Sequence, residues 1–195
     1  GCCVGAPFVQ QILHLGPDSI HSIHHVCVQR FLCGVWLRLR LLEILERGAA
    51  AALHHHMPYT TSLTLLEDGK LAMVEQNALM FDGRIAYDTE YSGLALDVEE
   101  GDRIAHAMGE CSILMMANHG VTVTGLSVEM AFNDLYYLER AAMFQVLARS
   151  TGGRLRSIEP EVIARTRTQF PEEMPKLAAR HFSALKRILD REEPE

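Results

Sequence analysis

The most restrictive stretch of this 195-residue chain is Ser112-Ile113-Leu114-Met115-Met116-Ala117, which ends in Asn118-His119-Gly120 and resumes as Val121-Thr122-Val123-Thr124. In a strand, successive side chains point to opposite faces, so an unbroken apolar run fits only a strand covered on both sides. A fold built around it must lay other elements on each face of a sheet. The break at His119-Gly120 then separates two strands and exposes the side chain that closes the first. The run that needs cover on both faces therefore also presents a histidine at a strand end.

Other segments supply the layers. Ala50 to His56 reads as a short buried strand, followed by Pro58 and a helical turn through Thr60 to Leu66. Glu67-Asp68-Gly69-Lys70 is a turn. Leu71 to Val74 and Arg84 to Tyr87 read as strands, the second announced by Asp82-Gly83. Glu99 to Met108 suits a helix, with Ile104 and Met108 four apart and acidic residues at its start. From Ser127 to Ser150, Val128, Ala131, Leu135, Leu138, Ala142 and Val146 recur at helical spacing; Ser127 is a suitable N-cap and Gly152-Gly153 a stop. Tyr136, Tyr137 and Met143 widen that apolar face, which predicts contact with more than one layer or with another subunit. Two further helices are expected over Pro160 to Gln169 and Met174 to Asp190.

Residues 1–48 stand apart from 49–195, which read as one domain. They hold Cys2, Cys3, Cys27 and Cys33 of the five cysteines, the sole tryptophan (Trp36), and His14, His21, His24 and His25. Helical spacing is present from Gln29 to Arg47, with Leu37, Leu41, Ile44 and Leu45 as its stripe and Gly48 as a stop. Odd, clustered cysteines do not suit a disulfide scaffold and predict a reduced, cytoplasmic protein. His21, His24, His25 and Cys27 lack the paired spacing of a closed structural metal site. The net charge of −7 and the lack of a basic stripe argue against nucleic acid as a partner. No apolar run approaches the ~20 residues of a membrane span.

Chemistry concentrates in Leu53-His54-His55-His56-Met57-Pro58-Tyr59. In an extended strand His54 and His56 leave from one face, roughly 6.5 Å apart along the backbone, while His55 points the other way. Such a pair is a two-tooth chelate for a divalent metal, or simply a pair of satisfied polar side chains. With His119 on a neighbouring strand end, three imidazoles would leave coordination positions open, as in catalytic zinc sites. His106 and His181 fall on helices, where surface or packing roles are expected.

His54-His55-His56-Met57-Pro58-Tyr59, Glu75-Gln76-Asn77-Ala78-Leu79, Gly83-Arg84-Ile85-Ala86-Tyr87-Asp88, Ala117-Asn118-His119-Gly120-Val121 and Ala131 to Ala141 together, in this order, resemble the class II aldolase/adducin family. The resemblance covers residues 49–195. It implies a three-layer α/β/α sandwich with a central, mainly antiparallel sheet, assembled as a homotetramer. It also implies that His54, His56 and His119 match the family's three zinc-binding histidines, with Zn2+ or another divalent metal as cofactor. The activity implied is that of a metal-dependent aldehyde-lyase, an aldolase cleaving a carbon–carbon bond of a small hydroxy-carbonyl substrate without a Schiff-base lysine.

Two departures from the family pattern bear on that activity. The Ser-Ser-Glu-type segment that supplies the base of the sugar-phosphate aldolases is not recognisable before His54, nor are the earlier phosphate loops. Glu43 and Glu46 lie upstream in a Leu-rich helical pattern and match no family motif. Glu75 is the remaining candidate for a catalytic carboxylate, against a bland reading as a solvated strand-end residue. The alternative to an enzyme is a non-catalytic adducin-like interaction module, or an inactive metal-binding remnant of the fold.

Overall fold

The computed structural model describes residues 13–14, 49–93, 98–170 and 173–192. Its sheet comprises β1 (Leu13–His14), β2 (Ala51–His55), β3 (Ile85–Asp88), β4 (Ile113–Met116) and β5 (Gly120–Gly125), in the order β1-β2-β5-β4-β3. β2 pairs antiparallel with β1 and β5, and β5 antiparallel with β4. Among the described residues, only β3 and β4 run parallel. Parallel neighbours need a crossover, and the helix α2 (Val98–Met108) supplies it. β4 and β5 are joined by a tight hairpin, so the mainly antiparallel sheet follows from short connections at its centre.

The apolar run behaves as its lack of alternation requires. Ile113 and Met115 face one side, where they pack with Ala51, Leu53, Val121 and Val123 beneath a long helix, α3 (Val128–Ser150). Leu114 and Met116 face the other side and meet Ile104 and Met108 of α2. All four β4 residues are buried, each contributing roughly 1.5–3 kcal/mol relative to exposure. The result is helix, sheet, helix in three layers.

α3 begins where its capping residue predicts: the Ser127 hydroxyl accepts a hydrogen bond from the Met130 N–H at 3.2 Å. Ala131, Leu135, Leu138 and Ala142 form its buried face, and Gly152 at φ 75° follows its end. The helix touches β2 and β5 on one side, and α1 (Pro58–Thr64) and α5 (Met174–Glu192) on others, which explains its broad apolar surface. α4 (Pro160–Arg167) has no buried residue. No helix among the described residues is long and apolar enough to cross a membrane.

One local expectation needs correction. Leu71–Val74 is not a strand. Its backbone is held by side chains instead: Gln145 of α3 accepts from the Ala72 N–H at 2.7 Å and donates to the Lys70 carbonyl at 2.9 Å, while the Tyr87 hydroxyl accepts from the Leu71 N–H. The apolar residues there serve the core without joining the sheet. A 3-10 turn, Ala78–Phe81, follows with all four residues buried. The expected helix from Gln29 to Arg47 lies outside the described residues, as do His21, His24, His25, Cys27, Glu43 and Glu46.

Candidate metal centre

The strand register places the first histidine. His54 is the penultimate residue of β2 and lies opposite Thr122 of β5. Its Nδ1 sits 3.1 Å from the Thr122 hydroxyl, which directs Nε2 to the open end of the sheet. His56 lies just beyond the last strand residue, carried by a backbone that stays extended through Met57 (φ −69°, ψ 146°). His119 closes the three-residue hairpin loop 117–119, whose Asn118 adopts φ 56°, a left-handed conformation that asparagine tolerates better than most residues. The Asn118 N–H donates to the Thr64 carbonyl at 3.0 Å and so ties the loop to the end of α1.

These elements bring the three imidazoles together. Ring centroids are 4.9 Å apart for His54 and His56, 5.0 Å for His54 and His119, and 5.0 Å for His56 and His119. One nitrogen from each ring lies within 4.8 Å of the others. Gly120 makes the approach possible, since a Cβ there would lie 2.6 Å from the His55 carbonyl oxygen and against the His56 ring.

The donor set can be tested against zinc by geometry. Zn–N bonds of 2.0–2.1 Å at tetrahedral angles separate two ligand nitrogens by about 3.3–3.4 Å. His54 Nε2 and His56 Nε2 are 3.1 Å apart, so that pair fits with only a slight opening. Both tautomers are possible for a free His54, but a ligand Nε2 requires the proton on Nδ1, where Thr122 is placed to accept it. Burial, then the neighbouring His119 and His56, push the His54 pKa down to about 3. Burial, followed by His56, also lowers that of His119. Neutral imidazoles are the form a cation requires.

The remaining candidates fall elsewhere. His55 Nδ1 accepts from the Met57 N–H at 3.1 Å, and its ring is not part of the cluster. His106 is exposed on α2. His181 of α5 packs at a ring separation of 4.7 Å from Tyr136, with Nδ1 3.2 Å from the Asn133 side-chain oxygen. Glu75 is not at a strand end; it is half-buried, and its carboxylate accepts from the N–H groups of Asn77 at 2.8 Å and Ala78 at 2.6 Å, capping the 3-10 turn.

Three features were not foreseen. Thr122 orients His54, but only the strand register identifies the pair. Glu139 of α3 is buried and grips the start of α1. A narrow cleft beside His119 is lined by Asp88, Glu100, Arg103 and Tyr91. In it the Arg103 guanidinium donates to both Asp88 oxygens at 2.7 Å and to Glu100. The hydrogen bond from Arg103 holds the Glu100 carboxyl below its usual pKa. The E-x-x-R spacing at the start of a helix was the available signal for half of that network.

Residues 42–146 match the family model for the class II aldolase and adducin N-terminal domain, starting inside the compositionally distinct N-terminal stretch. A Caulobacter vibrioides protein carrying an aldolase class 2 name is 30% identical over 76% of this chain and 58% of its own length. Human β-adducin is 31% identical over 71% of the chain, which spans 20% of that protein. The chain thus covers less than two thirds of these relatives. Among solved structures, an aldolase II superfamily protein from Pseudomonas syringae superposes with a TM-score of 0.71 at 33% identity, covering 80% of this chain and 62% of the other. An L-fuculose 1-phosphate aldolase from Glaciozyma antarctica shares the fold, with a TM-score of 0.69 at 20% identity over 85% of this chain and 63% of its own. Sequence match, sheet topology and the paired strand ends agree: this chain belongs to the class II aldolase and adducin family.

Proposed function

We propose that the chain serves a metal-dependent carbon–carbon lyase of aldolase type, acting on a small hydroxy-carbonyl substrate. The observation that carries this reading is the convergence of His54, His56 and His119 at the open end of the sheet. A bound divalent ion, zinc in the family-based reading, would supply Lewis acidity toward a carbonyl and its adjacent hydroxyl. The chain's own residues do the rest of the placement. Thr122 keeps the His54 ring turned so that Nε2 faces the centre. Three ring nitrogens on one side leave the opposite side for substrate oxygens.

Proton transfer falls to a group other than Glu75, whose oxygens are engaged in capping. Glu100, near His119, is held by Arg103 below the usual carboxylate range and is poorly suited as a base, and Asp88 accepts from the same guanidinium. A donor from a second copy in a homotetramer is consistent with this, as is a cytoplasmic setting. No nucleic acid or membrane is invoked. The similarity to β-adducin favours a second reading, a non-catalytic interaction module that retains the fold.

Metal analysis of wild type, His54→Ala and His119→Ala, with turnover assays on hydroxy-aldehydes and hydroxy-acids, separates the two. About one ion per wild-type chain, lost in both variants and accompanied by aldol cleavage, is the expected result. Equal substoichiometric metal in all three proteins refutes the centre. Full metal occupancy without turnover on any substrate supports the module.

A further inference from the structure

The three histidines are not held equally well. His54 lies within β2 and has Thr122 behind it; His119 sits in a hairpin loop tied to Thr64. His56 is the exposed member, one residue past the strand, where no ladder hydrogen bond fixes the backbone. Its position is set by the chain that follows it into α1. That helix is only seven residues long and its N-cap, Met57, offers no side-chain hydrogen bond. Unaided, so short a helix is marginal.

Glu139 supplies what the cap lacks. From α3, 79 and 80 positions away in sequence, its two carboxylate oxygens accept from the Tyr59 N–H at 2.9 Å, the Thr60 N–H at 2.8 Å and the Thr60 hydroxyl at 2.8 Å. Glu139 is 9% exposed and Thr60 is fully buried. Negative charge at a helix N-terminus is favourable, and charge-assisted bonds are the stronger kind. These bonds clamp the chain three and four residues after His56.

From this we infer that Glu139 is a positioning residue for the metal centre, setting the backbone that delivers His56; the inference rests on the metal-binding reading of the three histidines. Gln145 provides an internal comparison. It too is a buried polar residue of α3 that holds backbone groups, but those of Lys70 and Ala72, remote in sequence from the histidines. A merely structural role would make Glu139 and Gln145 equivalent.

The test is a cobalt titration of the full chain, followed by visible absorption, on wild type, Glu139→Gln, Thr60→Val and Gln145→Ala, with urea midpoints measured alongside. Glu139→Gln keeps the shape of the side chain but turns an amide NH2 toward backbone donors. Cobalt affinity is expected to fall about ten- to a hundred-fold, the range seen for groups that orient ligands from behind. Thr60→Val, which removes one of the three bonds, gives a smaller loss in the same direction. Gln145→Ala lowers the urea midpoint and leaves affinity at the wild-type value.

Wild-type affinity in Glu139→Gln overturns the inference, as does an equal affinity loss in Gln145→Ala. If Glu139→Gln does not fold, Thr60→Val decides, and wild-type affinity in that variant overturns it. A wild-type chain that takes up no cobalt removes the metal centre itself, with the positioning role; uptake abolished by His119→Ala but unaffected by Glu139→Gln removes the positioning role alone.

Discussion

Gly120→Ala places a methyl group at the point where β2, β5 and the histidine cluster meet. The new Cβ would lie 2.6 Å from the His55 carbonyl oxygen and press against the edge of the His56 ring. Ordinary contact between carbon and oxygen needs about 3.4 Å, so the two strands must part by about 0.8 Å at this point or distort around it. The His55 oxygen is backbone within a ladder and cannot swing aside. Gly120 and Val121 are themselves buried. Overpacking of this kind costs about 1–3 kcal/mol, and the upper half of that range is expected because the obstructing atom is main chain. The His56 ring is exposed and can rotate away, which relieves the clash but withdraws Nε2 from its 3.1 Å approach to His54. Urea denaturation should therefore show a loss of about 2–3 kcal/mol with an unchanged m-value, and metal titration should show weakened binding in the fraction that folds. A loss below about 0.5 kcal/mol, the range of ordinary surface substitutions, together with wild-type metal affinity, would refute the close-approach reasoning.

Acid should destabilise the metal-free chain through its histidines. The folded state keeps His54 neutral down to about pH 3, against an ordinary value of 6.5, and burial holds His55 near 4. The unfolded chain thus binds more protons below pH 6.5, so stability falls as pH is lowered from there; urea midpoints at pH 7, 6 and 5 should decline in wild type and less steeply in His54→Asn. Leu138→Ala, at a fully buried site on α3, should cost about 2–5 kcal/mol in the same assay. Ser127→Ala removes the N-cap of that helix and should cost about 1 kcal/mol without altering metal affinity. Chelator should lower the melting temperature of metal-loaded wild type and leave His119→Ala unmoved, since only the folded site binds the ion.

Much of the architecture is legible in single stretches of sequence. The unbroken run at Ile113–Met116 demands cover on both sides, and it has it, from α3 on one face and α2 on the other. The three-and-four spacing from Val128, with Ser127 before it, marks the longest helix nearly to the residue. These are local signals, because period and caps depend on neighbours in the chain. The segment Leu71–Val74 misleads for the same reason: its apolar residues carry a strand-like pattern, but its backbone groups bond to Gln145 and Tyr87 instead of to another strand.

The histidine pair was also visible locally, and the family motifs named His119 as its partner. What the sequence by itself determined, then, was the order of elements, their buried faces and which imidazoles are candidates for one centre. Tertiary structure alone decided what orients them. Thr122 meets His54 across 68 positions through strand register, and Glu139 meets Tyr59 and Thr60 across about 80 through helix packing. It also placed the Glu75 carboxylate as a cap on the 3-10 turn that follows it. A hydrogen bond between groups far apart in the chain leaves no periodic trace, because it depends on how layers stack and not on what precedes or follows either residue.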